Sequence, residues 1–281
     1  MISTVILTFN EAINLPRCLA SVSWCDDVLV VDSNSTDDTC AIARSAGARV
    51  LSRPFDNFAG QRNFALEDGD LQYEWVLHLD ADEEVSPELL SAMQAAIRSK
   101  DVKDVYQIPA RIIFMGRWLR YSGMYPCYQV RFGHRDRLRF HQVGHGQREL
   151  LPPEKLGTLD GDLVHHNFSK GVSDWFARHA RYAFDEASEA YASQESIHWF
   201  ALLQRSDPVL RRRAMKRLAM HIPFRPLARF LYTYVLRLGF MDGVAGFHYS
   251  FMLATYQYMI DLNLREIRWL HRSSRHSDNV G

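Results

Sequence analysis

The sequence predicts an α/β fold built on a largely parallel sheet, and three observations predict it. Apolar runs such as residues 2–8 and 75–79 are continuous rather than alternating, as in strands covered on both faces. These runs alternate with segments of helical periodicity. Carboxylates stand just past two of the runs, at Asp32 and Asp80. In open parallel sheets, ligands bind beyond the carboxyl ends of the strands.

The elements follow in order. Residues 2–8 (ISTVILT) are β-branched and apolar, a buried strand that Asn10-Glu11 breaks. Leu15, Leu19 and Val22 recur at helical spacing. Residues 28–31 form a second strand ending in Asp32, followed by a polar turn and by Asp37-Asp38, which can cap a helix carrying Cys40, Ile42, Ala43 and Ala46. Residues 48–51 read as a short third strand, 58–66 as a helix, and 75–79 (WVLHL) as a fourth strand ending in Asp80. Ser86-Pro87-Glu88 opens a helix to Arg98 with Pro in its first turn. Residues 105–162 mix short apolar pieces with aromatics, Gly and Arg, predicting an irregular mixed sheet with long loops. Residues 175–191 are helical. From Trp199 onward the pattern is helical and aromatic, broken at Pro208, Pro223 and Pro226. The expected division is a domain over 1–198 and a helical, basic, aromatic-rich extension over 199–281.

Composition narrows the classes. Of 281 residues, 47% are apolar and 23% charged, enough to bury a core and too apolar for a disordered chain. The net charge of zero conceals a split. Residues 201–281 hold 13 Lys and Arg against 5 Asp and Glu, whereas residues 1–200 hold 20 against 28. A basic rear part suits anionic lipid or phosphate. Nucleic acid is not expected as a partner, because no nucleic-acid motif occurs and the front part is acidic. The 18 residues 243–260 carry no Asp, Glu, Lys or Arg but include two Gly, His248, Gln257 and three Tyr. That predicts peripheral membrane contact rather than a span. The four cysteines form no CxxC pair, and Cys18 and Cys40 fall on apolar helix faces, as in a reducing compartment. Met1 leads straight into a strand with no basic leader. A cytoplasmic location at the inner face of the cytoplasmic membrane is therefore expected.

The chemistry concentrates at the strand ends. Asp80-Ala81-Asp82-Glu83-Glu84 follows WVLHL directly. An alternating pair there can aim two carboxylates into one cleft, where a divalent cation would let them face a diphosphate. Asp32 can accept hydrogen bonds from a nucleobase or ribose. Thr8, Asn10 and Glu11 leave the first strand at the same edge. No G-x-G-x-x-G follows that strand, which argues against a dinucleotide-dependent oxidoreductase.

VILTFNE, VVDSNSTDDT and HLDADEEV together resemble the inverting glycosyltransferases of family 2, which have the GT-A fold. The resemblance spans roughly the first hundred residues. FMGRWLRYSGMYPCYQVRF is similar to the subgroup acting in lipopolysaccharide-core and exopolysaccharide assembly. The resemblance implies that Thr8, Asn10, Glu11 and Asp32 contact the nucleoside, usually uridine, and that Arg62 lies near the donor. It implies that Asp80 and Asp82 hold Mg2+ or Mn2+ on the diphosphate of a UDP-sugar. An inverting transfer needs a base. The stretch VGHGQRE matches the subgroup's pattern imperfectly and leaves two candidates, Glu149 first and His145 second. Arg131 is open between a substrate contact and an ion pair with the acidic front half. His165-His166 is open between substrate contact and structure. The expected activity is hexose transfer to a glycan or glycolipid acceptor. A polyprenyl-phosphate sugar synthase and a non-catalytic nucleotide-sugar binder are the alternatives.

Overall fold

The computed structural model describes residues 1–143, 146–149, 152–192 and 224–277. Two compact units emerge, Met1–Trp175 and Phe176–Gly281.

In the first unit, strands β1 (Ile2–Thr8), β2 (Val28–Asp32), β3 (Arg49–Ser52) and β4 (Trp75–Asp80) pair in parallel in the order β3-β2-β1-β4. Helices α1 (Leu15–Ser21), α2 (Thr39–Ser45) and α3 (Phe58–Asp68) connect them. Both sheet faces are covered, which explains the unbroken apolar strands. Ile6, Val30, Leu77 and Leu79 pack with Leu15 and Cys18 of α1 on one face. Val5, Leu29, Val31 and Val76 pack with Ala65 of α3 on the other.

The sheet then turns mixed, as expected. β6 (Val105–Phe114) and β8 (Cys127–His134) pair antiparallel, and β8 pairs antiparallel with β4. A short strand β5 (Glu83–Val85) precedes α4 (Pro87–Arg98). The expected acidic stretch thus contains a strand. β7 (Arg117–Trp118) and β11 (Leu156–Thr158) flank β6, β9 (Phe140–Val143) and β10 (Gly146–Glu149) form a separate hairpin, and β12 (Leu163–His165) joins β6 to β5. Gly161 allows this joint. It has φ +119°, and a Cβ there would sit 2.6 Å from the Leu89 backbone nitrogen. Ser86 caps α4 as its sequence predicts, accepting from Leu89 N–H at 3.2 Å.

Helix α5 spans Val172–Ala192. Its Ala183 and Ala187 pack with Ile260 and Leu264 of α7 (Gly243–Ser277). Before α7 come the short helix α6 (Arg225–Phe230), a π-helical turn (Leu231–Leu236) and a 3-10 turn (Gly239–Asp242). Among the described residues no helix is long and apolar enough to cross a membrane.

Candidate active site

The strand register aligns the expected residues along one edge. Thr8 pairs with Asp32 and Leu7 with Asp80. Beyond them two loops interlock. Asn10 adopts a left-handed conformation, φ 53°, which Asn tolerates better than most residues. Its N–H donates to Ser35 Oγ at 2.8 Å, and its Oδ1 accepts from Thr36 N–H at 2.8 Å. Glu11 N–H donates to Thr39 Oγ1, and Ala12 N–H to Asp37.

Asp32 is buried, and its oxygens are used within the protein. They accept from Thr8 Oγ1 at 2.8 Å, Ser35 N–H at 2.8 Å and Ser35 Oγ at 2.5 Å. Burial alone would raise its carboxyl, but the Ser35 and Thr8 hydrogen bonds outweigh that and hold it below the usual range. Asp32 and Thr8 thus organise the loops, whereas Asn10 and Glu11 stand further out.

Asp80 is clamped by two arginines. Arg62 of α3 donates to Oδ1 at 2.7 Å and Arg131 of β8 to Oδ2 at 2.5 Å. Arg131 also reaches the buried Glu83 at 2.9 Å. Of its two sequence readings, the ion pair with the acidic front half is the one seen. Glu83 Oε2 accepts from Asp80 N–H at 2.9 Å, so the turn between β4 and β5 folds around this cluster. Burial first, and then the charge of Asp80, push the Glu83 carboxyl up to about 8.

Asp82 faces β12. His165 Nε2 lies 3.2 Å from its Oδ2, and His166 N–H donates to its carbonyl at 2.8 Å. Burial alone would lower the His165 pKa, yet Asp82, with Glu83 and Asp80 behind it, raises it to about 9. Glu84 beside it pairs with Arg17 at 2.8 Å and with His166. Past β12, Lys170 reaches back to Glu11 at 2.6 Å. Burial raises the Glu11 pKa despite that partner.

Among the described residues no three His, Cys, Asp or Glu side chains form a ready metal cage. The donor set nonetheless fits an ion that takes most of its ligands from elsewhere. Mg2+ and similar ions use one or two carboxylates plus phosphate oxygens and water. Asp82 offers a carboxylate and His165 an imidazole 3.2 Å away, while both Asp80 oxygens are engaged by arginines.

The β9–β10 hairpin stands against α3. The Asn63 side chain brackets Phe140 as a strand would, donating to its carbonyl at 2.8 Å and accepting its N–H at 3.0 Å. The Phe140 ring lies 5.9 Å from the Arg62 guanidinium. Glu149 is paired directly opposite Phe140. Directly paired residues share a face with Cβ atoms about 5 Å apart, so Glu149 sits beside the ring that covers Arg62. His145 lies outside the described residues.

Residues 3–148, just over half of the chain, match the model of Glycosyl transferase family 2. The chain belongs to glycosyltransferase family 2. It is 41% identical over 118 residues to an uncharacterized glycosyltransferase of Rickettsia prowazekii (strain Madrid E), a match covering 41% of this chain and 40% of the relative. It is 34% identical over 170 residues to LpsC of Rhizobium meliloti (strain 1021), a lipopolysaccharide core biosynthesis glycosyltransferase, covering 58% and 62%. The chain thus spans about two fifths of the length of the Rickettsia relative it matches. Among solved structures it is similar to the mannosyltransferase of Pyrobaculum calidifontis in complex with GDP-Man and Mn2+, at 18% identity and TM-score 0.47, covering 94% and 86%.

Within this family 2 glycosyltransferase, sequence reasoning missed Glu83, Glu84, Arg17 and Lys170. Glu83 and Glu84 were legible only as acidic. Alternation through Glu83, Glu84 and Val85 is too short to announce a strand, yet β5 is what buries Glu83 beneath Asp80.

Proposed function

We propose that this glycosyltransferase moves a hexose from a UDP-sugar to a hydroxyl of a lipopolysaccharide-core or exopolysaccharide glycan, inverting the anomeric carbon. The observation that carries the reading is the meeting of Asp80, Asp82 and His165 at the edge that also holds Asn10 and Glu11. The likeness to LpsC supports the acceptor class.

Asp82 and His165 would hold a divalent cation, Mg2+ or Mn2+. When bound, it stabilises the charge that develops on the departing diphosphate. Asp80, fixed by Arg62 and Arg131, holds the turn that presents Asp82. Arg62 keeps positive charge at the donor end. Asn10 and Glu11 face the nucleoside, and Thr8 and Asp32 set the loop that carries them. Glu149 takes the proton of the acceptor hydroxyl. That oxygen forms its bond to the anomeric carbon as the bond from this carbon to the diphosphate oxygen breaks, and UDP leaves with the electron pair. His145 is the second candidate for the base. The basic, aromatic extension provides peripheral contact with the inner face of the cytoplasmic membrane, where a glycolipid acceptor is available.

A panel of UDP- and GDP-sugars, assayed for Mn2+-dependent turnover, tests the reading. One UDP-sugar is expected to turn over, and Glu149→Gln should lower kcat about 100- to 10,000-fold without changing UDP affinity. Full activity in Glu149→Gln favours a polyprenyl-phosphate acceptor, already anionic and in no need of a base. Donor binding without turnover favours a non-catalytic binder.

A further inference from the structure

Residues 105–135 contain five arginines and no Asp or Glu. Arg131 clamps Asp80 and Glu83, and Arg135 donates to the Leu71 carbonyl at 2.7 Å. The other three, Arg111, Arg117 and Arg120, lie on β6, on β7 and just past β7.

Arg111 and Arg120 converge on a single indole. The Arg111 guanidinium lies 4.9 Å from the Trp118 ring centroid and that of Arg120 5.6 Å. Arg120 also lies 5.9 Å from the Tyr121 ring. Arg111 has an acid partner, donating through Nε to Asp162 Oδ2 at 2.7 Å. The other Asp162 oxygen accepts from Tyr125 OH at 2.7 Å, and the Tyr125 ring packs edge-on against Trp118. Asp162 is therefore fully engaged in fixing Arg111. Arg120 is exposed and has no carboxylate partner among the described residues. The Trp118 indole N–H is buried and donates to no described group. The cluster offers donors and positive charge in excess of its one acid. With Asp162 offsetting Arg111, the charge left over is that of Arg120.

The cluster is joined to the candidate active site through β6. Ile112 of β6 pairs with His165, the neighbour of Asp82. The adjoining Ile113 pairs with Trp118. Neighbouring strands lie about 4.8 Å apart and successive residues alternate faces, so the platform stands one to two strand spacings from His165, with Arg111 and Trp118 on the other face of β6.

We propose that Arg120, with Arg111 and Trp118, forms an acceptor subsite for a sugar bearing an anionic group, a carboxylate or a phosphate. The inference rests on the glycosyltransferase reading and names the chemistry of its acceptor. Arg120 supplies the charge-assisted hydrogen bonds. Arg111, locked by Asp162, keeps the indole in place. An uncharged sugar has nothing to offer these donors that water does not.

The test is a titration of the full chain with glucuronic acid, glucose 6-phosphate and glucose, followed by calorimetry, with and without saturating UDP and Mn2+. At least one of the two anionic sugars should bind whether or not UDP is present, and glucose should not bind at the same concentration. The tighter of the two anionic sugars identifies the group as carboxylate or phosphate. Arg120→Ala should weaken that binding about tenfold or more, with UDP affinity and melting temperature unchanged, and Arg120→Lys should restore part of it. Binding of glucose equal to that of the anions, no binding of either anion, or unaltered binding by Arg120→Ala would overturn the proposal. Loss of UDP binding alone would instead count against the donor-site reading, because the arm without UDP reads the subsite independently.

Discussion

At the residue scale, three strand-end carboxylates that look alike in the sequence meet different fates. Asp32 turns inward and is saturated by Thr8 and Ser35. Asp80 is neutralised by two arginines, and Asp82 is left beside His165. Their positions were legible because a strand end is a local signal. Their partners were not, since Arg131 is 51 residues from Asp80 and His165 is 83 residues from Asp82. A fourth carboxylate, Asp27, had no signal at all. It is buried and ties β1, β3 and the approach to β4 together, accepting from Ser3 Oγ at 2.5 Å, Arg49 at 2.8 Å and Gln72 N–H at 2.8 Å. Burial alone would raise its pKa, but these hydrogen bonds outweigh it and lower the pKa below that of a free carboxylate. The stability Asp27 contributes is then present above the unfolded value of about 3.9 and is lost as pH falls through the lower folded value. Asp27→Asn should cost about 2 kcal/mol at neutral pH, and the gap from wild type should close progressively under acid. Urea unfolding at a series of pH values measures this. An equal gap at every pH would contradict the assignment.

At the element scale, the parallel half of the sheet was the most legible part. Long, unbroken apolar runs fix strand identity, and β1 and β2 follow the predicted boundaries to within a residue. The elements hidden from sequence are the two- and three-residue strands β5, β7, β11 and β12, too short for a period to register. They are held by pairing with distant strands, and two of them, β5 and β12, carry Glu83 and His165. The helical extension shows the converse. Its amphipathic character was legible, and the structure leaves large apolar side chains exposed along α6, the π-helical turn and α7. Phe224 is 80% exposed, Leu236 74% and Val244 67%. Arg225 is occupied by Asp261, and Arg211-Arg212-Arg213 lie outside the described residues. If these apolar side chains meet lipid, the chain should sediment with phosphatidylglycerol vesicles in preference to phosphatidylcholine vesicles. Salt should weaken the binding. The double variant Leu236→Asp, Val244→Asp should stay in the supernatant with unchanged circular dichroism. Wild-type protein that ignores phosphatidylglycerol vesicles would sink the membrane reading.

At the scale of the whole molecule, the neutral chain is divided into an acidic front and a basic rear. On the proposed reading, Asp82 stands where a nucleoside diphosphate binds, which makes binding conditional. Without a cation, the Asp82 edge repels a diphosphate, and with one it attracts it. Arg62 and Arg131 offset Asp80 and Glu83. On the proposed reading, the metal requirement falls on Asp82 and His165, and it extends to affinity as well as to turnover. Calorimetric titration of UDP into the full chain, with and without Mn2+, measures this directly in the wild type and in Asp82→Asn. The expected result is tight binding only with Mn2+, weakened about tenfold or more by Asp82→Asn with the melting temperature of the ligand-free chain unchanged. Equal UDP affinity with and without the metal, or in Asp82→Asn and wild type, would contradict the account.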